Sequence, residues 1–202
     1  MIISQAQFLQ SNTDYKSCPA PDKPEYAFIG RSNVGKSSLI NMLTNHSKLA
    51  KVSAKPGKTR LINHFLINNL WYLVDLPGIG YAKISKSEKA TWNIMTQEYL
   101  KNRENLMCVF MLIDSRLEPQ KIDLDFIGWL GNNNIPIALV FTKTDKQTVN
   151  KTQINIDNFH NALLEFWEEL PQYFITSSIT YQGKDDILSF IDNINKDYSF
   201  NK

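Results

Sequence analysis

The sequence predicts an α/β fold of three layers, in which a mostly parallel six-stranded sheet with one antiparallel strand carries helices on both faces. Two observations predict it. Short apolar runs alternate with segments of helical periodicity along most of the 202 residues. The glycine-containing stretch GRSNVGKS, residues 30–37, stands between the first apolar run and a helical pattern. A loop in that position is typical of folds that bind phosphate at the end of a parallel strand.

Five apolar runs are typical of strands that are buried on both faces, because they lack the alternation of a half-exposed strand. These runs span residues 26–30, 70–76, 106–114, 136–142 and 173–178. A sixth strand, residues 60–68, passes directly into the 70–76 strand. A connection this short cannot make a parallel crossover, so the pair must be antiparallel.

Helical periodicity predicts the connecting elements. Helices are expected at residues 36–45, 86–102, 121–132 and 154–170. A last helix is indicated by an apolar stripe at the spacing of one helix face, made of Ile187, Phe190, Ile191, Ile194 and Tyr198. The first 24 residues, which end in the proline-rich CPAPDKP, are expected to be a lead-in segment. Residues 25–200 are expected to form a single domain.

Composition excludes several classes of protein. A hydrophobic content of 43% and a charged content of 21% describe a globular chain. The longest apolar run, Leu106 to Ile113, is too short to cross a bilayer as a helix, which takes roughly 20 residues. No secretory signal or lipidation motif is evident in the sequence. We therefore expect a cytoplasmic protein that does not associate with a membrane.

The charge is distributed unevenly. Residues 26–103 hold 12 Lys/Arg against 3 Asp/Glu, although the net charge of the chain is only +2. Six cations lie between residues 48 and 83, namely Lys48, Lys51, Lys55, Lys58, Arg60 and Lys83. They exceed what one nucleotide needs, so they indicate either a polyanionic partner such as RNA or a solvated lysine-rich loop.

Gly30, Gly35, Lys36 and Ser37 stand at the spacing G-x-x-x-x-G-K-[ST], which builds a loop able to hold the phosphates of a nucleotide. The glycines permit backbone conformations that a side chain would obstruct. The amides of residues 33–38 then face the phosphates at a helix N-terminus. We expect Lys36 to reach the β- and γ-phosphates and Ser37 to bind Mg²⁺. The alternative is a glycine-rich turn with an exposed lysine.

Two further segments suit the triphosphate end of a nucleotide. DLPG, Asp75 to Gly78, ends a buried strand. Asp75 can hold Mg²⁺ through water, and the Gly78 amide can bond the γ-phosphate, whereas alone this Asp would be a cap or turn residue. Thr59, in the basic loop that precedes the antiparallel strand, is the candidate for a further Mg²⁺ ligand, because such loops close on the γ-phosphate and relax when it leaves. In isolation this Thr would be a surface residue.

TKTD, residues 142–145, resembles the guanine-reading N-K-x-D motif of the GTPases. There the Asp accepts from the N1–H and the 2-amino group, which adenine cannot supply, so a buried carboxylate would be left unpaired with ATP. Thr142 replaces the usual Asn, and we expect this to weaken the link to the phosphate loop. Lys143 would lie along the base plane. TSS, residues 176–178, follows the last strand and matches the loop whose amides contact the guanine O6.

Taken in order, these motifs resemble a small GTPase of the translation-factor-like branch and, more narrowly, the EngB (YihA/YsxC) family of ribosome-assembly GTPases. The narrower resemblance rests on GRSNVGKSSLIN, KPGKTRLINHF, DLPGIGYAK, MLIDSR and FTKTDK, and it spans about residues 20–200. It implies the P-loop GTPase fold, binding of GTP, GDP and Mg²⁺, and a role in assembling the large ribosomal subunit. It also implies a link to cell division and septation as a downstream effect.

The motifs and the resemblance together assign a set of site residues. The residues expected to contact GTP are Gly30, Arg31, Ser32, Asn33, Val34, Gly35, Lys36, Ser37, Ser38, Gly57, Lys58, Thr59, Asp75, Leu76, Pro77, Gly78, Thr142, Lys143, Thr144, Asp145, Thr176, Ser177 and Ser178. The expected catalytic residues are Lys36, Thr59, Gly78 and Asn33. The expected Mg²⁺ ligands are Ser37, Thr59 and Asp75.

Two positions bear on the reaction. Ile79 stands where signalling GTPases have a Gln, and it can neither orient nor polarise a water, so slow intrinsic turnover is expected.

Asn33 stands where several related GTPases hold a K⁺ ion that does the work of an arginine finger. The alternative is that Asn33 only stabilises the loop. His46 and His64 are expected to be surface or sheet residues.

The expected partner is the precursor of the large ribosomal subunit, which would be contacted through its rRNA and ribosomal proteins. We expect no binding to DNA, and we expect the chain to be monomeric. Three other functions stay open. The chain could be a nucleotide-gated RNA- or ribosome-binding module in which hydrolysis is incidental. A membrane-traffic or signalling GTPase is disfavoured by Ile79, and a small-molecule kinase would not need TKTD.

Overall fold

The computed structural model describes residues 1–47, 49, 50, 61–80 and 86–200. A single sheet of seven strands runs through this part of the chain. Its strands are β1 (Ala6–Asn12), β2 (Glu25–Gly30), β3 (Ile62–Ile67), β4 (Trp71–Asp75), β5 (Leu106–Asp114), β6 (Ile137–Thr142) and β7 (Gln172–Ile175). Across the sheet they lie in the order β1-β3-β4-β2-β5-β6-β7.

Five helices connect the strands: α1 (Lys36–Thr44), α2 (Lys86–Asn102), α3 (Lys121–Asn132), α4 (Val149–Leu164) and α5 (Lys184–Phe200). Helices α1 and α5 pack on one face of the sheet, and α2, α3 and α4 pack on the other. Alternate side chains of the central strands serve the two cores. Tyr26 and Phe28 of β2 join the first core, whereas Ala27 and Ile29 join the second. The predicted three-layer architecture is confirmed.

Strand pairing agrees with the predicted topology where the sequence signal is strong. β3 runs antiparallel to β4, and β2, β4, β5, β6 and β7 are joined by parallel pairs. The connection between β3 and β4 is a tight turn in which Asn68 and Asn69 both have positive φ. Asparagine tolerates this left-handed region better than most residues. The short loop therefore enforces the antiparallel pair that its length predicts.

The sheet has seven strands where the sequence predicts six. Residues 6–12, assigned to the lead-in segment, form β1 and pair antiparallel with β3. Most residues of this edge strand are exposed or half-buried, so AQFLQSN lacks the apolar run that marks the inner strands. The pairing, with its bulge between Phe8 and Gln10, ties the N-terminal segment to the domain.

Two other boundaries shift. Helix α4 covers Val149–Leu164 instead of residues 154–170, because Thr148 caps its N-terminus by accepting a hydrogen bond from the Lys151 amide. Strand β7 ends at Ile175, so the TSS segment lies in the loop that follows.

A buried polar cluster closes the end of the sheet where β2 begins. The Glu25 carboxylate is fully buried and accepts hydrogen bonds from His64, Tyr99, Arg103 and Asn105. Burial by itself would raise the pKa of Glu25, but the hydrogen bonds from His64 and Arg103 outweigh it and lower the pKa to about 2. This cluster joins β2, β3 and the end of α2, which are far apart in the sequence. His64 is a sheet residue, as predicted.

Candidate functional site

The phosphate loop occupies the turn between β2 and α1. Gly30 ends the strand, and a Cβ there would lie 2.8 Å from the Leu112 carbonyl oxygen. Gly35 is the N-cap of α1 and has a φ of +109°, which a residue with a side chain rarely adopts. Asn33 also has positive φ. The two glycines thus do what the motif predicts, and the loop leads into an open helix N-terminus that suits an anion.

Lys36 and Asp75 lie together at the floor of this loop. The Lys36 ammonium contacts the Asp75 carboxylate and donates a 2.7 Å hydrogen bond to the Leu76 carbonyl oxygen. Burial lowers the pKa of Lys36 to about 7. Ser37 follows directly on α1, so a hydroxyl, a carboxylate and an ammonium lie at the C-terminal ends of β2 and β4. These are the groups that the sequence assigns to the phosphates and the metal.

The DLPG segment is held against the phosphate loop by backbone hydrogen bonds. The Leu76 amide donates to the Phe28 carbonyl oxygen at 3.0 Å, and the Ile79 amide donates to that of Gly30 at 3.0 Å. Pro77 and Gly78 lie between these two bonds. Ile79 is only 8% exposed, so its side chain belongs to the core. Gly78 therefore sits in a segment whose two ends are fixed to β2.

The TKTD segment, residues 142–145, contacts the phosphate loop at two points. The Thr142 hydroxyl donates a 2.6 Å hydrogen bond to the Val34 carbonyl oxygen. The Lys143 ammonium donates to the Asn33 carbonyl oxygen and to Asp114 Oδ2, the latter at 2.8 Å. We expected Thr142 to weaken the link to the phosphate loop, yet its hydroxyl makes one directly. A shorter side chain suffices because β6 ends close beneath the loop.

Asp145 is oriented by a serine of the TSS loop. The buried Ser177 hydroxyl accepts hydrogen bonds from the amides of Ile179 and Thr180, both at 3.2 Å. Its proton is thereby left for Asp145 Oδ1, 2.8 Å away. This hydrogen bond lowers the pKa of Asp145, and Lys146 at 3.1 Å acts in the same direction. The carboxylate is thus ionised and fixed, as an acceptor for a purine edge requires.

Backbone and hydroxyl contacts join the TKTD and TSS loops. The Thr176 amide donates to the Phe141 carbonyl oxygen at 2.7 Å. The Thr144 amide and hydroxyl both lie within hydrogen-bonding distance of the Thr176 carbonyl oxygen. Ser178 follows at half-buried depth. The two loops, 30 residues apart in the chain, therefore form one edge of the site.

Asp114 is a site residue to which the sequence reasoning gave no role. It ends β5 and pairs through both carboxylate oxygens with Arg116, at 2.8 Å each, besides Lys143. Burial would raise the pKa of Asp114, but the hydrogen bonds from Arg116 and Lys143 lower it to about 2. The usable sequence signal was the position of Asp114 at the end of an apolar run. Its register with Thr142 on the neighbouring parallel strand is given only by the structure. Asp114 therefore fixes the side chain of Lys143.

The Arg31 side chain, expected at the nucleotide, points elsewhere. Its Nε lies 3.1 Å from Asp123 Oδ2 on α3. Any contact of Arg31 with the nucleotide in this arrangement would therefore come from its backbone. Ser32 and Ser38 occupy the positions in and after the loop that the motif gives them, both half-buried.

Some predicted residues lie outside the described residues. They are Gly57, Lys58 and Thr59, together with the six cations from Lys48 to Lys83. Within the described part of the chain, no group of three or more His, Cys, Asp or Glu could hold a metal ion by itself. Among the described helices, none is both long and apolar enough to cross a membrane.

Comparison with known proteins places these features in a family. Residues 25–143 match the family model described as a 50S ribosome-binding GTPase. The chain is 57% identical over 195 residues to the GTP-binding protein EngB of Christiangramia forsetii, covering 96% of this chain and 98% of the relative. It is 55% identical to EngB of Bacteroides thetaiotaomicron over the full length of both. A crystal structure of an EngB GTP-binding protein superposes with a TM-score of 0.66 at 21% identity, covering 86% of this chain and 99% of that one, which shows the fold.

Proposed function

The chain belongs to the EngB family of GTP-binding proteins and carries a GTPase domain, and from this premise we propose that it acts as a GTP-driven switch in assembly of the large ribosomal subunit. The observation that carries the nucleotide assignment is the Ser177–Asp145 hydrogen bond at the edge that also holds the phosphate loop. This hydrogen bond orients the Asp145 carboxylate, which supports its proposed role in reading a purine edge that carries an amino group.

Base selection follows from the cost of leaving the Asp145 carboxylate unpaired once a bound base covers it. Guanine offers Asp145 two donors, its N1–H and 2-amino group, whereas adenine offers an acceptor in place of the N1–H. The fixed carboxylate cannot turn away, because Ser177 holds Oδ1. A charged acceptor that loses its partners costs several kcal/mol, on the order of 3 or more. ATP is therefore rejected.

The groups near the phosphate loop suit the negative charge of a triphosphate and its metal ion. Lys36, on α1, would hold the β- and γ-phosphates, and the Gly78 amide would bond the γ-phosphate. Ser37 and Asp75 fit Mg²⁺ by the chemistry of their donor set, a hydroxyl and a carboxylate oxygen at one end of the sheet. The predicted third ligand is Thr59. Mg²⁺, when bound, supplies neutralisation of the phosphate oxygens.

Turnover of the isolated protein is expected to be slow. Ile79 follows Gly78 with its side chain in the core and its amide bonded to Gly30. It offers no polar group to an attacking water. A partner that completes the site would accelerate hydrolysis, which makes the GTPase responsive to binding.

Two features support a ribosomal partner. The family model that matches residues 25–143 is described as a 50S ribosome-binding GTPase. The excess of 12 Lys/Arg over 3 Asp/Glu in residues 26–103 suits a polyanion. We propose that the rRNA and proteins of the large-subunit precursor bind this cytoplasmic protein as a monomer. A linked effect on cell division and septation would follow from impaired ribosome assembly.

The test is sedimentation with large-subunit precursors in the presence of a non-hydrolysable GTP analogue or GDP. We expect co-sedimentation with the analogue and release with GDP. Asp145→Asn provides the matched control, because this variant should bind the particles with the xanthosine analogue and lose the response to the guanosine analogue. Equal binding with GDP and the GTP analogue would overturn the switch.

Single-turnover hydrolysis separates the switch from the alternative, a nucleotide-gated RNA- or ribosome-binding module in which hydrolysis is incidental. The switch predicts acceleration by large-subunit particles. The module predicts nucleotide-dependent binding with an unchanged rate of hydrolysis.

A further inference from the structure

Arg31 connects three parts of the molecule. It follows Gly30 at the start of the phosphate loop, and its backbone forms a parallel bridge with Ile79, next to Gly78. The Ile79 amide bonds the Gly30 carbonyl oxygen at this bridge. The Arg31 side chain then reaches helix α3, where its Nε lies 3.1 Å from Asp123 Oδ2. One residue thus joins the phosphate loop, the DLPG segment and α3.

The first turn of α3 also contacts the DLPG side directly. A Cβ at Gly80 would lie 2.6 Å from Ile122 Cδ1, so Ile122 packs against the backbone just beyond Ile79. Ile122 and Asp123 are neighbours on α3. Any shift of this turn would therefore reach Gly80 through Ile122 and the phosphate loop through Arg31.

Asp123 is a carboxylate in a buried position, where its charge is poorly solvated. It is 1% exposed, and neither its Oδ1 nor the Nε of Arg31 makes a hydrogen bond among the described residues, so the two side chains are joined by charge at 3.1 Å. The charged residues on either side of it, Lys121 and Asp125, are exposed and pair with each other at 3.0 Å. Arg31 is the charged side chain that acts on Asp123 within the described part of the chain.

Burial makes the ionisation of Asp123 unfavourable. Burial raises the pKa of Asp123 to about 6, against the opposing effect of Arg31. Because this pKa is higher in the folded chain than the ordinary 3.8, the folded state holds the proton more tightly than the unfolded state does. The stabilising contribution is fully present below the ordinary pKa and is lost as the pH rises through about 6. At neutral pH the ionised Asp123 therefore stabilises the fold less than a protonated Asp123 would.

We propose that Arg31 and Asp123 are a positioning pair for GTP hydrolysis, in which the α3 carboxylate holds Arg31 and thereby fixes the Gly30–Ile79 junction that sets Gly78 against the γ-phosphate. Neither residue touches the reacting atoms. They act by holding the backbone that does. GDP lacks the γ-phosphate, so the pair should affect hydrolysis far more than GDP binding.

The experiment is Asp123→Asn in the full chain, with Asp125→Asn as the matched control on the same helix. We expect single-turnover hydrolysis of GTP to fall about tenfold in Asp123→Asn. The Kd for GDP should change less than about twofold, and the Tm at neutral pH should fall by no more than about 4 °C, because the Arg31 side chain is 24% exposed and water can solvate the charge that Asp123 leaves. Asp125→Asn should leave all three unchanged.

Two further readouts identify the pair. The wild-type hydrolysis rate should fall as the pH drops through about 6, and Asp123→Asn should lack that step. Arg31→Gln should match Asp123→Asn, and combining the two should add nothing further, because the second change removes an interaction that is already lost. Arg31→Lys, which keeps the charge, should retain part of the rate.

Either of two results would overturn the inference. One is an Asp123→Asn protein that hydrolyses GTP as fast as wild type. The other is a loss of hydrolysis accompanied by a lower Tm and weaker GDP binding in equal measure, since that pattern belongs to a residue that only maintains the fold. Wild-type hydrolysis, measured in the same assay, tests the GTPase activity separately.

Discussion

The Thr142 hydroxyl donates a 2.6 Å hydrogen bond to the carbonyl oxygen of Val34, 108 residues earlier in the chain. This bond connects the end of β6, to which we assign base reading, to the loop that we propose to hold the phosphates. It fixes the distance between the two halves of the proposed nucleotide site. An Asn is the usual residue in this motif, and the structure gives the physical reason that a shorter side chain serves here.

Replacing Thr142 with Val removes the hydroxyl and keeps the branched shape. The Val34 carbonyl then loses its partner, which costs about 1 kcal/mol, so Kd for both GDP and GTP should rise roughly fivefold. Isothermal titration calorimetry measures both constants. Thr142→Ser, which keeps the hydroxyl, is the control. Wild-type affinity in Thr142→Val would show that the bond does not position the loop.

Asp145→Asn should change base preference. The amide can donate where the carboxylate only accepts, so affinity should shift from guanine toward xanthine nucleotides, with GTP weakened by on the order of a hundredfold. Competition binding with GTP, XTP and ATP measures the shift. Unchanged GTP affinity would refute the base assignment, and equal wild-type affinity for ATP and GTP would do so as well.

Glu25→Gln should destabilise the fold by about 3 kcal/mol, because it leaves the buried Arg103 guanidinium without its counter-charge. Urea unfolding at neutral pH measures this loss. Asp22→Asn is the control and should have little effect, because it removes the charge of a surface pair with Lys23 but keeps a side-chain oxygen that can accept from Tyr72.

The same carboxylate predicts a pH dependence. The pKa of Glu25 in the folded chain is about 2, below its ordinary 4.5, so its contribution to stability is complete above pH 4.5 and declines as the pH falls toward 2. The free energy of unfolding of wild type should therefore drop more steeply over this range than that of Glu25→Gln. Parallel curves would contradict the assignment.

Asn33 gives a prediction about K⁺. Its side chain is exposed in the phosphate loop, while its carbonyl oxygen accepts from Lys143. If the side chain holds K⁺ near the phosphates, GTP hydrolysis should be several-fold faster in K⁺ than in Na⁺, and Asn33→Ala should remove the difference. Equal rates in the two salts would eliminate the role and leave Asn33 as a loop residue.

Local patterns allowed much of the fold to be predicted. The strand–loop–helix unit from β2 to α1 follows from an apolar run, two glycines and a helical period within about twenty residues. Helices α2 and α3 have the predicted bounds, and the β3–β4 turn follows from its length. These features depend on residues close in the chain, whose periodicity and turn chemistry act without the rest of the fold.

Edges and ends were less predictable. β1 is an edge strand with one partner and no fully buried residue, so its apolar signal is weak. The start of α4 depends on a cap at Thr148 that precedes the apolar stripe by several residues.

The sequence by itself determined the spacings of the phosphate loop and the TKTD segment, from which we predict the residues that bind a guanine nucleotide, because these motifs carry their chemistry in short, fixed patterns. Only the tertiary structure decided how those residues are held. It set Thr142 under Val34, Ser177 against Asp145, and Asp123 beside Arg31. The reason is physical: each of these contacts joins residues more than thirty positions apart, and strand order and helix packing, which no local pattern records, bring them within hydrogen-bonding or ion-pairing distance.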